Sequence, residues 1–272
     1  MSVDYSLIEA AVREAGQLLL RADATIAEIY KKEGPANFAT AYDLKIQDFL
    51  IGRFKEILPS ATYYGEEDTS GNAGTMAEKG YTFIIDPIDG TTNFMFGYKH
   101  SCVSVGLSLD SIIIAGFVYN PYTNELYKAV RGEGSFLNGR RLTVENRALS
   151  EGIAAFGCAR YNDSDADRQF AMVKEFFKHS LAIRNGGSAA LDLCRIASGA
   201  NVLYFESLLQ PYDYAAASVI IEEAGGMITQ CDGSPISLVG PCSILAGTDK
   251  AWEEGKGILY TKHLGLQASR GF

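Results

Sequence analysis

The stretch FIIDPIDGTTNF, residues 83–94, decides how the chain is to be read. Phe83-Ile84-Ile85 has the character of a strand entering a core, and it ends in two aspartates, Asp86 and Asp89. Desolvation and mutual repulsion disfavour two carboxylates at the C-terminal edge of a buried strand unless a cation lies between them. An Asp-Gly turn accounts for Asp89-Gly90 but leaves Asp86 without a role. Hard oxygen donors of this kind suit Mg²⁺, Mn²⁺ or Ca²⁺ and not zinc. Gly90, Thr91 and Thr92 follow as a backbone that can approach closely, open a short helix and present N–H groups to a phosphate.

The rest of the chain narrows the class. With 272 residues and 47% hydrophobic content, it can bury roughly 75% of its unfolded surface. Five scattered cysteines, Cys102, Cys158, Cys194, Cys231 and Cys242, contain no C-x-x-C pair, so neither a disulfide framework nor a zinc knuckle is indicated and a reducing cytoplasm is expected. Asp4, Glu9, Arg13 and Glu14 interrupt the N-terminal apolar pattern, which reads as an amphipathic helix and not a signal peptide. The longest apolar run, IIIAGFVY at 112–119, is strand-sized, so no membrane partner is expected. A net charge of −9 with no basic cluster argues against nucleic acid. An anionic substrate then needs bound cations to cancel its repulsion from the acidic site.

Helix-period apolar spacing marks the N-terminal segment and residues 40–58, so two helices are predicted before the first strand. ATYYGEE is a short strand, and residues 68–80, polar and Gly-rich, read as a mobile loop. From Ser101 to Val144 the pattern is an antiparallel meander, with a tight turn at Asp110-Ser111 and a hairpin at Asn138-Gly139. The polar segment 145–152 divides an N-terminal α+β subdomain, residues 1–148, from a C-terminal subdomain, 149–272, in which strands and helices alternate. The two are expected to form one catalytic unit.

Acids gather at the ends of elements: Asp43, then Glu66 and Glu67, then Asp86 and Asp89, then Asp213. Singly, most have ordinary readings. Asp43 could lie on a solvated helix face, and Glu66 and Glu67 could be loop acids. Asp213 could complement the dipole of the helix that Pro211 begins.

Taken together they resemble the inositol monophosphatase family. FIIDPIDGTTNF is similar to its first signature and PYDYAAASVIIEEAGG, residues 211–226, to its second, while GEE at 65–67 stands where the family carries a metal-binding glutamate. The order and spacing of all four acidic segments match, so the resemblance covers nearly the whole chain. It implies a layered αβαβα sandwich of the inositol monophosphatase and fructose-1,6-bisphosphatase type, two to three Mg²⁺ ions with Mn²⁺ as a substitute, lithium sensitivity and a homodimer. Carried over, Glu66, Asp86 and the Ile88 carbonyl would bind one ion. Asp86, Asp89 and Asp213 would bind a second, and a third would lean on Glu66. Asp43 would hold the hydroxyl of Thr91, so that Thr91 and Glu66 orient and deprotonate the attacking water. Asp89, Asp213 and the N–H groups of Gly90 and Thr91 would meet the substrate, joined by Gly187, Ser188, Ala190 and Glu206, the last toward a ring hydroxyl. Two departures stand out, Asn37 in place of an aspartate and Tyr212 in place of a tryptophan.

The function implied is Mg²⁺-dependent hydrolysis of an inositol monophosphate or related polyol or sugar phosphate. Fructose 1,6-bisphosphate and 3′-phosphoadenosine 5′-phosphate are the alternatives within the superfamily, and a non-catalytic divalent-metal protein is the alternative outside it. Other enzyme classes find no footing. GEGSFL at 132–137 is no dinucleotide fingerprint, no phosphate-binding G-x-x-x-x-G-K-[ST] occurs, and His100, His179 and His263 accompany no serine elbow.

Overall fold

Helix α1 (Tyr5–Arg21) starts at Asp4, whose side chain accepts from the Ser6 N–H at 3.0 Å, and it buries Ile8, Val12, Ala15 and Leu19 along one stripe. This is a computed structural model, and it describes residues 3–22, 29–31, 38–67, 77–158 and 166–261. The first departure from the sequence reading comes next. A short antiparallel pair, β1 (Ile29–Lys31) and β2 (Phe38–Thr40), stands between the first two helices. Three-residue strands are too short to show a period, so apolar spacing passes over them. Thr40 then caps α2 (Ala41–Ile57).

Seven strands form the larger sheet in the order of the chain. They are β3 (Thr62–Gly65), β4 (Tyr81–Asp89), β5 (Cys102–Leu109), β6 (Ile112–Asn120), β7 (Glu125–Val130), β8 (Gly134–Leu137) and β9 (Arg140–Arg141). Only β3 and β4 pair in parallel; the rest is the predicted meander. Its two tightest turns carry positive φ at both central residues, 51° and 64° at Asp110-Ser111 and 48° and 81° at Asn138-Gly139. That geometry matches the right-handed twist of the flanking strands. Between β4 and β5 lies the short helix α3 (Thr91–Met95).

The smaller sheet follows residues 145–152. In chain order its half contains β10 (Ile153–Phe156), α4 (Ala166–His179), β11 (Ala182–Arg184), α5 (Ala189–Ala197), β12 (Leu203–Leu209), α6 (Pro211–Glu223), β13 (Met227–Thr229), β14 (Cys242–Gly247) and α7 (Asp249–Thr261). The strand order is β11-β10-β12-β14-β13, parallel among the first three and antiparallel beyond. β12 runs to Leu209 through a register break between Glu206 and Leu209.

Three apolar clusters define the layers. Ile8, Leu19, Leu50 and Phe54 of α1 and α2 pack on Phe83, Ile85, Val105 and Phe117. The opposite face of that sheet, Ile84, Val118 and Tyr127, packs on α5 and α6, which also cover Tyr204, Ile244 and Ala246 of the smaller sheet. Outside that sheet, Phe176 of α4 and Trp252 and Leu259 of α7 cover Leu203, Phe205 and Leu245. The result is the αβαβα sandwich. It explains why Phe83-Ile84-Ile85 is apolar without alternation, since β4 is covered on both faces. It also explains α6, whose buried residues Tyr214 to Ile221 form an unbroken run because sheets flank the helix on two sides.

The centre of the sandwich is close-packed where α6 crosses β6. A Cβ built on Gly116 would lie 2.2 Å from the Ala216 carbonyl oxygen and 2.8 Å from Val219. Gly116→Ala must therefore push the helix off the sheet, and a loss of about 1–3 kcal/mol is expected. Denaturant unfolding checks this; a variant as stable as the parent would mean that α6 does not sit at this separation.

Candidate active site

Regular alternation would send Asp86 and Asp89, an odd number of residues apart, to opposite faces of β4. The register prevents this. Asp86 pairs with Ser104 and Asp89 with Cys102, so residues 86–89 lie against only 102–104 and β4 carries one extra residue. Such a bulge re-aims the side chain that follows it. Pro87, which has no N–H to offer the ladder, falls inside it. Both aspartates therefore belong to the body of β4, which runs through Asp89, and do not stand beyond a strand that ends at Asp86.

Asp86 and Asp89 are buried and meet the partly buried Asp213, so that one oxygen of each lies within 4.8 Å of the others. Asp43, Glu66 and Glu67 form a second such group. Among the described residues no lysine, arginine or histidine forms an ion pair with Asp86, Asp89 or Asp213. Burial pushes the Asp86 carboxyl well above the usual range, and Glu66 and Asp89 push it further. Burial and the charge of Asp89 do the same to Asp213. Asp89 rises to about 6, burial outweighing the hydrogen bonds that oppose it. Converging carboxylates without a cationic partner form an oxygen donor set that fits a hard divalent cation.

Each acid has its own support. Asp43 closes a capping box at the start of α2, accepting from the Thr40 N–H at 2.7 Å and the Thr40 hydroxyl at 2.6 Å, while its other oxygen is 3.4 Å from the Thr91 hydroxyl. Burial and the charge of Glu66 raise its carboxyl to about 7, although the Thr40 bonds oppose this. Asp43 is therefore buried, and the solvated-face reading does not apply. Thr91 also donates to the Ile88 carbonyl at 3.1 Å. The Glu66-Glu67 segment is held by the buried Gln47 side chain, which bonds the Glu67 carbonyl at 2.5 Å and its N–H at 3.1 Å. Asp213 accepts from the Gln210 N–H at 2.7 Å at the start of α6.

Asp89 receives the N-terminus of α5, from the other half of the chain. The Ser188 hydroxyl and the Ala190 N–H, at 2.9 Å, donate to one oxygen, and the Ala189 N–H donates to the other at 3.1 Å. The Cys102 thiol lies 3.5 Å from the first oxygen. Asp89, Ser188 and Ala189 line a cavity of about 430 Å³ with Glu66, Asp86, Ile88, Gly90, Thr91, Gly187, Glu206 and Asp213. Among the substrate contacts named from the sequence, Ala190 is the exception, and Asp43 stands behind Thr91 outside the lining. Ala190 is fully buried and meets Asp89 through its N–H, while Ala189 reaches the cavity. Asn37 and residues 68–76, within the 68–80 loop expectation, lie outside the described residues, as does His263. The Tyr212 ring stands 6.1 Å from that of Tyr64.

Several participants escape a reading of the sequence. Asn93 stands inside the opening motif, yet its role emerges only in space. Its amide bonds the His100 carbonyl at 2.7 Å and the Gly186 carbonyl at 2.8 Å, tying the motif to the loop before α5. Asp192, which accepts from the Gly186 N–H at 2.9 Å, together with Tyr204 and Gly157, also borders the cavity. No local motif marks any of these three.

The model of the inositol monophosphatase family matches residues 2–262. The SuhB protein of Neisseria meningitidis serogroup B, a Nus factor by name, is 36% identical over 225 residues, 82% of this chain and 85% of that one. Inositol monophosphatase 1 of Homo sapiens is 32% identical over 240 residues, 87% and 86% of the two chains. The crystal structure of the extragenic suppressor protein SuhB from Bartonella henselae superposes with a TM-score of 0.86 at 28% identity, covering 95% of this chain and 98% of that one.

Proposed function

Since the chain belongs to the inositol monophosphatase family, we propose that it is a Mg²⁺-dependent phosphomonoesterase acting on an inositol monophosphate or a closely related polyol or sugar phosphate. The observation that carries this reading is the convergence of the three aspartates Asp86, Asp89 and Asp213 on one cavity, which Glu66 also borders. Asp86, Asp89, Asp213, Glu66 and the Ile88 carbonyl would hold two to three Mg²⁺, or Mn²⁺ in substitution. Such ions neutralise the phosphate against the acidic pocket, polarise phosphorus and lower the pKa of water.

The protein's own part is positional and protolytic. The Thr91 hydroxyl, shared between the Ile88 carbonyl and Asp43, orients the attacking water together with Glu66. Asp43, whose carboxyl sits at about 7, is matched to receive the proton passed through the Thr91 oxygen near neutral pH. The N–H groups of Gly90 and Thr91 cradle the phosphate, a close approach that Gly90 permits with its φ of 91°. Gly187, Ser188 and Ala189 border the alcohol side of the cavity, and Glu206 receives a substrate hydroxyl. Lithium sensitivity, a homodimer and a cytoplasmic setting belong to the same proposal. All five cysteines are unpaired, and among the described residues no helix is long and apolar enough to cross a membrane.

Phosphate release from myo-inositol 1-phosphate, fructose 1,6-bisphosphate, 3′-phosphoadenosine 5′-phosphate and glycerol 2-phosphate, in Mg²⁺ or EDTA and with or without Li⁺, tests the reading. Turnover should need Mg²⁺ and favour the inositol ester. Glu206→Ala should raise KM for that ester about 10- to 100-fold, the worth of a hydrogen bond to a charged group. Unchanged affinity for every polyol ester would remove Glu206 from recognition, and a folded protein inactive on all four would shift the weight to a non-catalytic metal-binding role.

A further inference from the structure

Beside the acidic cavity the two halves of the chain meet at a seam, and the Asn93 side chain of α3 stitches it. A primary amide has two hydrogens to donate. Asn93 gives one to the His100 carbonyl of its own half at 2.7 Å, and the other to the Gly186 carbonyl of the opposite half at 2.8 Å. An oxygen in place of that nitrogen would face two carbonyl oxygens, so a carboxylate of the same shape could not serve. The backbones touch here with no side chain between them. A Cβ built on Gly90 would lie 3.0 Å from the Gly187 carbonyl oxygen, and one on Gly187 would lie 3.0 Å from the Asn93 amide nitrogen. From the far side, the buried Asp192 accepts from the Gly186 N–H at 2.9 Å. Side chains therefore grip Gly186 at both of its polar groups. Directly after it Gly187, with a φ of 73°, turns the chain into α5, whose first residues supply the donors to Asp89.

We propose that Asn93 is a positioning residue which, through Gly186, holds the start of α5 against Asp89 and so sets the preference of the site for Mg²⁺ over the larger Ca²⁺. Mg²⁺ requires near-octahedral ligands at one short distance, whereas Ca²⁺ tolerates a range of distances and ligand numbers. Both oxygens of Asp89 accept from α5, so its carboxylate takes its orientation from the placement of that helix. With Gly186 released, the helix start and the carboxylate can shift together. The smaller ion then loses its fit and the larger one adapts. Asp213 is held by the Gln210 N–H at the start of its own helix and does not depend on this seam. The inference rests on the metal-dependent phosphatase reading above.

Isothermal titration of the full-length, metal-free protein with MgCl₂ alone and with CaCl₂ alone tests this without substrate. Asn93→Ala should weaken Mg²⁺ binding about 10-fold, the low end for losing a group that supports a metal ligand, and Ca²⁺ binding by less than about 2-fold. A merely structural tie would weaken both ions alike. Asp192→Ala frees the same Gly186 from its N–H side and should move the Mg²⁺ to Ca²⁺ ratio in the same direction. The double variant should add little, since both changes release one loop. Melting temperatures in EDTA verify folding, and Asp192→Ala carries the comparison if Asn93→Ala does not fold. Losses that are equal for the two ions, larger for Ca²⁺ or absent, in a folded variant, overturn the positioning role and leave the phosphatase reading standing. A parent protein that binds neither ion overturns the metal site itself.

Discussion

Asp86→Asn is expected to raise the melting temperature in EDTA while abolishing Mg²⁺-dependent turnover. Asp86 is buried, and Glu66, Asp89, Asp213 and Asp43 all disfavour its ionised form. A neutral isostere removes that repulsion and keeps an oxygen for the Ile88 N–H, which Asp86 accepts at 3.1 Å. It also removes a carboxylate that would hold metal in the proposed site. Loss of residues that merely support metal ligands typically costs 10- to 100-fold, so a loss beyond about 100-fold is expected for the ligand itself. Opposite signs for stability and activity are the mark of a site whose strain serves function. Thermal unfolding in EDTA at pH 8, paired with phosphate release in Mg²⁺, decides the matter. A lower melting temperature, or retained turnover, would contradict this account of the acidic cluster.

The second large effect is on pH. Asp43 and Asp89 bind protons more tightly in the folded chain, at about 7 and about 6 against an ordinary 3.8. The folded state therefore carries more protons than the unfolded state across this interval. Its stability without metal should fall as pH rises from about 4 to about 7. Asp4, Glu9 and Asp232, whose carboxyls are shifted down, add stability only up to their ordinary values of 3.8, 4.5 and 3.8, at the foot of this window, and do not offset the fall above it. At 1.36 kcal/mol per unit, Asp89 alone represents on the order of 3 kcal/mol. For a chain of this size that is about 5–10 °C in Tm. Mg²⁺ must displace the same protons, so its stabilising effect should grow with pH. Scanning calorimetry between pH 5 and 8, in EDTA and in Mg²⁺, should give a falling curve and a nearly flat one. An EDTA curve that climbs through this window would rule out the raised carboxyls.

Much of this was legible in the chain. Asn138-Gly139 and Asp110-Ser111 announce hairpins because few residues tolerate positive φ at two successive positions, and both turns form. Pro211 followed by Asp213 marks a helix start for an equally local reason, and α6 begins there. Asp86 and Asp89 stood out because two carboxylates at the end of a buried strand need a reason to be there, whereas Asp43, Glu66 and Asp213 have ordinary local readings and were marked by the family resemblance. By contrast, Ala189 and Ala190 cannot be told apart by type, and the winding of α5 alone turns the first toward the cavity and the second into the core. The β1 and β2 strands have no period to detect.

The amino-acid order by itself determined the layered class, the turns, the helix starts and the identity of the acids, since each depends on the conformational preferences and polarity of residues a few positions apart. Tertiary structure decided which of those groups meet. The bulge at Pro87 turns Asp89 to the side of Asp86, α5 brings its free N–H groups to Asp89 across about a hundred residues of chain, and the Asn93 amide reaches the Gly186 carbonyl. Those meetings depend on strand register and on the separation of packed layers, which no short stretch of sequence contains.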